Sequence, residues 1–427
     1  MPTALRLRTA SPVIARATSS TPLDRTIRRR LGWIWGLLFV NVLTYTPAPV
    51  LLPIPSAAGK VLTQGALVLA LALTLMLNRR LVVRPNGFLL LFSVLCGLSV
   101  VMSVHGYFGV GSIVRAGRMV VFILILWLLT PWWGRRDLLF ASVHRRALMI
   151  VLGSVLIGMV VAPGKAFAQA GGGRLGGDLW AITPTQVAHY AAVFTGLTVV
   201  MWFSGLLSPR SAMVTASAGV GVLLLTHTRT ALIGLMVGIL VAGLSLFFSR
   251  KRVRKAFIVT LLVALLVALS FAPFVSRWFT RGESAHELGN LTGRTAVWTA
   301  LVHQPRSEVN TLFGYGMSND SFNGLPIDSS WLSVYLDQGL VGDAIVAVAL
   351  LLLLLIALLA PRGPARAMAL FLVVYCLIAS YTETGLGGPS PYLLDLTLTM
   401  SLLMPSVVVS SRTLGRAEIR SSPTMSE

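Results

Sequence analysis

Residues 338–360 read QGLVGDAIVAVALLLLLLIALLA, and Asp343 is the one charged side chain in this run. An α-helix rises about 1.5 Å per residue, so a run of this length crosses a hydrocarbon layer of about 30 Å. Similar apolar runs recur along the chain. They predict an all-α membrane protein, because a helix satisfies its backbone hydrogen bonds internally within lipid.

The apolar runs predict roughly twelve transmembrane helices. We place them near 33–53, 57–77, 87–105, 112–131, 146–163, 183–205, 211–227, 229–248, 255–274, 338–360, 365–383 and 390–409. The composition agrees, since 55% of the residues are apolar, 11% are charged and the mean hydropathy is +0.81. A soluble chain of 427 residues does not bury that much apolar surface.

Basic clusters separate the apolar runs and predict the topology. The net charge is +21, but the lysines and arginines do not form one basic surface, so nucleic acid is not an expected partner. Clusters such as 25–30, 250–255 and 412–420 fall in every second connection between the predicted spans, and so on one side of the membrane. Because cytoplasmic connections are rich in Lys and Arg, we expect both termini to be cytoplasmic and the protein to lie in the plasma (inner) membrane.

One polar stretch, 276–330, interrupts the apolar runs and is predicted to face outward with the active site. It holds arginines, glycines and carboxylates, from which a site at a membrane surface is built. We therefore divide the chain into a disordered basic tail at 1–30, about nine spans in 31–274, an extracytoplasmic loop with short helices at 275–330, about three spans in 331–410 and a second cytoplasmic tail at 411–427. Cys96 and Cys376 fall inside predicted spans and are predicted to be free thiols.

Arg229 is the sharpest candidate for a site residue. It lies in LLLTHTRTAL at 223–232, with almost no loop between two predicted spans. A guanidinium this close to hydrocarbon is costly unless it faces a water-filled cavity or an anion. The alternative is that Arg229 anchors the chain at the membrane interface.

Three more arginines are candidates for binding an anionic substrate. Arg294 follows Thr292, whose hydroxyl is predicted to cap a helix, and a guanidinium beside the free amides of a helix start suits a phosphate. Arg115 and Arg118 are three positions apart, so a helix places both on one face. That face lines an anion groove or anchors to lipid phosphates.

Tyr315 is a candidate for binding sugar. It lies between Gly314 and Gly316 and is followed by polar side chains up to Asp320. An aromatic ring among polar groups suits a sugar-binding surface, and the same residues equally suit an ordinary Gly-rich turn.

Two motifs carry a resemblance to the O-antigen ligase and polysaccharide polymerase family. The run LLLTHTRTAL around Arg229 resembles the family's Thr-x-Ser-Arg-x-Ala turn. The run LTGRTAVW at 291–298 resembles its Gly-Arg-x-x-x-Trp signature.

Two further stretches fit the same family in the same order along the chain. RLGG from Arg174, followed by TPTQVAHY at 183–190, resembles an Arg-x-x-Gly and His-Pro-Asn-x-x-Ala pair. DSSWL from Asp328, followed by DQGLVG at 337–342, resembles a His-Asn-x-x-Leu and Glu-x-Gly-x-x-Gly segment. Together the four resemblances cover most of 112–360.

The resemblance implies transfer of a glycan from an undecaprenyl-pyrophosphate donor to an acceptor hydroxyl on the outer face of the membrane. It implies that Arg294 and Arg229 clamp the pyrophosphate, that Arg174 is a third candidate and that no metal cofactor is needed, because the arginines replace the metal. Asp328 stands where the family has a histidine, as the candidate general base or acceptor-orienting group. Capping of the following helix is its structural alternative.

The loss of that histidine favours a polymerase of polysaccharide repeats over a ligase that transfers glycan to a lipid or other surface acceptor. Expected partners are the lipid-linked donor, a glycan acceptor and membrane lipid, with a flippase and a chain-length regulator as further candidates. A lipid-linked oligosaccharide flippase is the rival class, but transporters usually show repeated halves, and the one-sided polar stretch favours an enzyme. A non-catalytic assembly subunit is the third possibility.

Three ionisable residues, His189, Glu383 and Asp395, lie within or near predicted spans. A charge at membrane depth points to function by default, but hydrogen bonding between helices is the common alternative. We therefore do not place these three residues in the site.

Overall fold

The fold is helical almost throughout. The computed structural model describes residues 22–43, 50–51, 55–106, 108–135, 137–168, 173–247, 251–280 and 293–405. Within them, the exception to helix and loop is a two-stranded antiparallel hairpin. The predicted tail at 411–427 lies outside these residues.

The helices of the described chain are numbered in sequence order. They are α1 (Pro22–Val42), α2 (Ser56–Leu77), α3 (Gly87–His105), α4 (Gly109–Leu129), α5 (Leu139–Val161), α6 (Pro163–Ala166), α7 (Pro184–Phe203), α8 (Pro209–Leu225), α9 (Arg229–Phe247), α10 (Lys251–Ser270), α11 (Ala272–Thr280), α12 (Arg294–His303), α13 (Glu308–Phe313), α14 (Ser330–Leu359), α15 (Pro364–Ala379) and α16 (Pro391–Leu403). Strands β1 (Ser321–Phe322) and β2 (Leu325–Pro326) form the hairpin before α14.

A helix overlaps each predicted span, and seven of the described helices are long and apolar enough to cross a membrane. These seven are Ala57–Leu77, Gly87–His105, Gly109–Trp132, Leu139–Val161, Pro184–Phe203, Arg229–Phe247 and Ser330–Leu359. Three further apolar helices, α8, α15 and α16, are shorter. The all-α membrane class is therefore confirmed, while the count of twelve spans stays a prediction.

The first helix corrects one predicted boundary. It begins at Pro22, so residues 22–30, predicted as part of a disordered tail, are helical. Arg28 Nε lies 2.8 Å from the Asp24 carboxylate one turn earlier, and Asp24 and Arg28 also pair with Arg135 and Asp137 respectively. These ion pairs fix the start of α1 to the segment before α5, which the composition of the tail did not indicate.

Helix α7 lies at the centre of the bundle. Its most apolar window is 83% buried, against 28–50% for the other six candidate spans. It packs against α5, α8, α9 and α15. Around it, α9 and α15 approach closely because Gly234 and Gly238 of α9 face the rings of Tyr375 and Phe371. Small residues at such contacts bring helix backbones together in a membrane.

A buried carboxylate joins three helices beside α7. Asp395 of α16 lies 2.9 Å from His144 Nε2 of α5 and 3.0 Å from His189 Nε2 of α7. The Trp35 indole N–H donates to His144 Nδ1, so a neutral His144 ring carries its proton on the nitrogen that faces Asp395. His189 and Asp395 therefore bond between helices, which is the alternative that the sequence left open for them. Cys96 and Cys376 are free and buried, as predicted.

Helix α14 begins eight residues before the predicted span and is interrupted at Gly339. The φ and ψ of Gly339 are 66° and −168°, which only glycine adopts readily. A Cβ here would collide with the backbone of Leu312, and a Cβ on Gly314 would collide with the backbone of Asp337. The interruption therefore places α13 directly against the first turns of α14.

We expect Gly339→Ala to lower the free energy of unfolding by about 2–3 kcal/mol, because alanine is strained at this φ and its Cβ has no room. Thermal unfolding of the purified protein in detergent measures the effect. Gly97→Ala is the matched control, since its Cβ meets nothing within 4 Å. Equal midpoints for the two variants would contradict the assigned backbone conformation.

Candidate functional site

Two cavities adjoin at one end of the helix bundle. The smaller, about 400 Å³, is lined by Arg174, Arg229 and Arg294, and we call it the arginine cavity. The larger, about 660 Å³, is lined by residues from α1, α2, α4, α7 and the loops around α14 and α16, and we call it the wide cavity. The residues that line both are Thr185, Pro326, Asp328 and Glu383.

The first residues of three helices, α7, α9 and α12, line the arginine cavity. Arg229 is the first residue of α9, Arg294 is the first of α12, and Thr185 is the second of α7. The first backbone N–H groups of a helix have no partner within it, and they form the positive end of the helix dipole. Guanidinium groups and helix starts therefore both place positive charge at the cavity wall, beside the carboxylates of Asp328 and Glu383.

Arg174 reaches the cavity from the loop before α7. Its Nε donates to the Thr226 carbonyl at 2.9 Å and its Nη2 donates to the Thr228 hydroxyl at 3.1 Å. These bonds hold the guanidinium on the turn between α8 and α9. Burial lowers the pKa of Arg174 from its usual value, and the neighbouring charges of Glu383, Arg294 and Asp328 act on it as well.

Arg229 is positioned by the tight turn that the sequence indicated. His227 in that turn has a φ of 51°, and its ring stacks on Trp278 with ring centroids 5.7 Å apart. Trp278 belongs to α11, and its indole N–H donates to the Leu224 carbonyl at 2.9 Å. Arg229 Nη2 donates to the carbonyl of Thr280, the last residue of α11, at 3.2 Å. Helix α11 therefore holds the turn and its arginine in place.

Arg294 and Asp328 form an ion pair, with Arg294 Nε 3.1 Å from Asp328 Oδ2. Trp298, one turn along α12, donates to the Ile327 carbonyl at 2.6 Å and so holds the Asp328 segment against the helix. The residue before α12 is Gly293, with a φ of 86° and no side-chain cap. The predicted cap at Thr292 lies outside the described residues and stays a prediction.

Asp328 does not cap the helix that follows it. Its φ of 47° is unusual for a residue other than glycine, and the residue before α14 is Ser329, with no side-chain bond to the helix start. The side chain of Asp328 is about a third exposed, at 34%, and lies on the wall shared by the two cavities. Capping of α14, which was the alternative to a site role for Asp328, is therefore not observed.

The comparison with family models gave one match, at residues 211–346, to the model described as O-antigen ligase. We call this matched segment the O-antigen ligase domain. The resemblance found in the motifs is thus confirmed, over roughly a third of the chain. A comparison with curated proteins found no match.

The O-antigen ligase domain contributes Arg229, Arg294 and Asp328 to the site, but the site extends beyond it on both sides. Arg174 precedes the domain, and Glu383 follows it. These residues meet because α7 packs against α9 and Thr382, in the segment after α15, donates to Thr230 at the start of α9. The arginine cavity therefore brings together all three arginines that the motifs singled out.

Glu383 is the residue that the sequence interpretation left out. It lines both cavities, receives a hydrogen bond from Thr185, and lies in the loop between α15 and α16 rather than at the end of a span. Burial raises the pKa of its carboxyl to about 7, against the opposing effect of the Arg294 and Arg174 charges. The signal that could have indicated it was a carboxylate beside a Gly-rich turn at a predicted span end.

The other two predicted arginines, Arg115 and Arg118, line the wide cavity and not the arginine cavity. Arg115 Nε donates to the Met317 carbonyl at 3.1 Å, and Arg118 donates to the backbone and side-chain oxygens of Asn41 at 2.7 and 3.2 Å. Asp320 lines the same cavity and receives a hydrogen bond from Ser333. The two arginines thus face a polar cavity of mixed charge.

Tyr315, the predicted sugar-binding aromatic, does not line either of the two cavities. Its ring packs with Arg306, whose Cζ lies 5.3 Å from the ring centroid, and its backbone N–H donates to the Leu336 carbonyl. It lies within the O-antigen ligase domain, where it packs against the first turns of α14. The alternative of a structural turn fits this placement.

Proposed function

We propose that the protein polymerises polysaccharide repeat units on the outer face of the membrane, by transferring a glycan from an undecaprenyl-pyrophosphate donor to an acceptor sugar hydroxyl without a metal ion. The observation that carries the proposal is the convergence of Arg174, Arg229 and Arg294 on one cavity. The match to an O-antigen ligase family supports glycan transfer as the reaction class.

The chemistry requires a site for a departing pyrophosphate. As the bond between the anomeric carbon and the pyrophosphate oxygen breaks, negative charge builds up on the phosphates. Fixed cations in a cavity of low dielectric constant stabilise such charge without reorganising at the moment of reaction. Arginine suits this role, since its planar fork binds phosphate oxygens in pairs.

The cavity is also placed for a lipid carrier. Arg229 begins a helix that is apolar enough to span the membrane, and Pro184 begins another. A pyrophosphate bound between these helix starts would lie at the membrane surface, with its prenyl chain free to remain in lipid. The predicted outward orientation then supplies the donor from the outer leaflet.

Asp328 fits the role of an orienting group in this proposal. Its carboxylate holds Arg294 Nε at 3.1 Å, which fixes the direction in which the rest of the guanidinium points. Its place on the shared wall also puts it within reach of an acceptor that enters through the wide cavity. The absence of the ligase histidine at this position supports a polymerase over transfer to a lipid acceptor.

We expect purified protein in liposomes to convert a lipid-pyrophosphate-linked repeat into a ladder of longer glycans at a rate unchanged by EDTA, because the arginines stabilise the leaving group. Gel analysis of fluorescently labelled glycan measures the rate. Product that disappears with EDTA and returns with Mg²⁺ would overturn metal independence. Movement of the lipid between leaflets without any ladder would favour the flippase instead.

A further inference from the structure

We propose that Glu383 is the general base of the reaction and that the acceptor glycan occupies the wide cavity. This inference rests on the proposed function and names a catalytic residue and an acceptor site within it. Glu383 lies outside the O-antigen ligase domain and outside the set of residues that the motifs indicated.

The first argument is position. The leaving group is placed in the arginine cavity, so the hydroxyl that replaces it must arrive from an adjoining space. The wide cavity is such a space, and of the four residues common to both cavities two are carboxylates, Glu383 and Asp328. A base must lie within hydrogen-bond reach of the hydroxyl it deprotonates, and this boundary is where that hydroxyl meets the donor.

The second argument separates the two carboxylates. Asp328 is ion-paired with Arg294, so one of its oxygens already accepts a charged hydrogen bond. Glu383 lines the same boundary and accepts a hydrogen bond from the neutral hydroxyl of Thr185. Asp328 is therefore held in place by a guanidinium, whereas the carboxylate of Glu383 is held by a neutral hydroxyl.

The third argument is rigidity. The Glu383 carbonyl accepts a 2.7 Å hydrogen bond from the Ser330 hydroxyl at the start of α14. The preceding residue, Thr382, donates to the Thr230 hydroxyl at the start of α9, also at 2.7 Å. The segment that carries Glu383 is therefore tied to the start of α9, which bears Arg229, and to the start of α14, which follows Asp328. These bonds fix the distance between the base and the leaving-group site.

The electrostatics suit a base that works near neutral pH. Burial raises the pKa of Glu383 to about 7, so about half of it is ionised at that pH and the ionised half accepts a proton readily. The charged groups that act on it are Arg294 at the start of α12, Arg174 in the loop before α7 and Asp328 before α14. Its own charge acts in turn on the phenols Tyr375 and Tyr392 of α15 and α16.

The step balances without an added reagent. The acceptor oxygen forms a bond to the anomeric carbon while the bond from that carbon to the pyrophosphate oxygen breaks. The bonding electron pair leaves with undecaprenyl pyrophosphate, whose charge the arginines stabilise. The acceptor's hydroxyl proton passes to a carboxylate oxygen of Glu383 and then to water in the wide cavity.

We expect Glu383→Gln to lower kcat/KM for glycan transfer by about 10²-fold or more, because glutamine cannot accept the proton. In the wild type, kcat/KM should rise with pH and level off above about pH 7, as the free carboxyl loses its proton. The residual activity of the variant should lack that rise. Glu308→Gln, an exposed glutamate on α13 that lines neither cavity, is the matched control.

A second acceptor, azide, distinguishes failure of this proposal from failure of the proposed function. Azide is already an anion and attacks the anomeric carbon without giving up a proton, so it needs no base. We expect Glu383→Gln to form glycosyl azide from the lipid-linked donor at close to the wild-type rate. That result would also show that the variant is folded and binds the donor.

Three outcomes would overturn the inference. Transfer by Glu383→Gln at the wild-type rate would exclude a base at this position, and so would a rise with pH that survives in the variant. Loss of the azide reaction together with glycan transfer would mean that Glu383 supports the fold or donor binding. If wild type forms neither glycan nor glycosyl azide, the proposed function itself fails.

Discussion

Replacement of Arg294 by alanine is expected to lower the rate of glycan transfer by about 10³-fold. The removed guanidinium is one of three at the arginine cavity, and loss of a single fixed charge at a leaving group costs rates of this order. The fold should survive, because Asp328 is 34% exposed and an ion pair at such a site contributes about 0–1 kcal/mol. Quantification of glycan product per unit of correctly folded protein measures the loss.

Two further variants show whether the loss comes from phosphate recognition. Arg294→Lys keeps the charge but not the planar fork, so its loss should be smaller than that of the alanine variant. Arg277→Ala removes an exposed arginine of α11 that lines neither cavity and should leave transfer unchanged. Azide should not rescue Arg294→Ala, since the leaving group is then unstabilised for every nucleophile. Full activity of Arg294→Ala would contradict the clamp.

The second large effect is on stability. We expect Asp395→Ala to lower the free energy of unfolding by about 3–5 kcal/mol, because it leaves two buried imidazoles without their shared carboxylate. Asp395 is 1% exposed, and the side chains of His144 and His189 are 0% and 2% exposed, so water does not replace the lost partner. Thermal unfolding in detergent, followed by intrinsic fluorescence, measures the shift.

Asp137→Ala provides the comparison for Asp395→Ala. Its carboxylate pairs with Arg28 and Arg135 but is 26% exposed, so its removal should cost no more than about 1 kcal/mol. Asp395→Asn should fall between the two, because the amide keeps one acceptor oxygen. Similar midpoints for the two alanine variants would mean that the buried contact contributes little to the fold.

Much of the fold was predictable because apolar run length is a local property of the sequence. Each predicted span overlaps a helix, and the errors fall where tertiary contacts decide the ends. Helix α14 starts early, at Ser330, because Gly339 lets a polar helical segment precede the apolar run. Helix α15 stops at Ala379, before the predicted 383, because the next residues bond to the starts of α14 and α9.

The site was predictable in part, because an unusual arginine is also visible locally in the sequence. Arg174, Arg229 and Arg294 lie in connections that are predicted to face outward, where arginine is unusual, so each is visible in the sequence alone. The structure brings the three together at one cavity. Glu383 gives a weaker signal, because a glutamate beside a Gly-rich turn at a span end is common. Only the packing of α15 against α9 reveals that it shares a wall with the arginines.

The two cavities share one wall, but the far wall of the wide cavity comes from helices that the arginine cavity does not use. The segment that matches the family, 211–346, supplies Arg229, Arg294 and Asp328, the parts that every pyrophosphate donor would require. The far wall of the wide cavity comes from α1, α2 and α4, through residues such as Lys60, which lie well outside that segment. On the proposed function, mutation of those early helices changes which acceptor fits while the leaving-group chemistry is inherited intact.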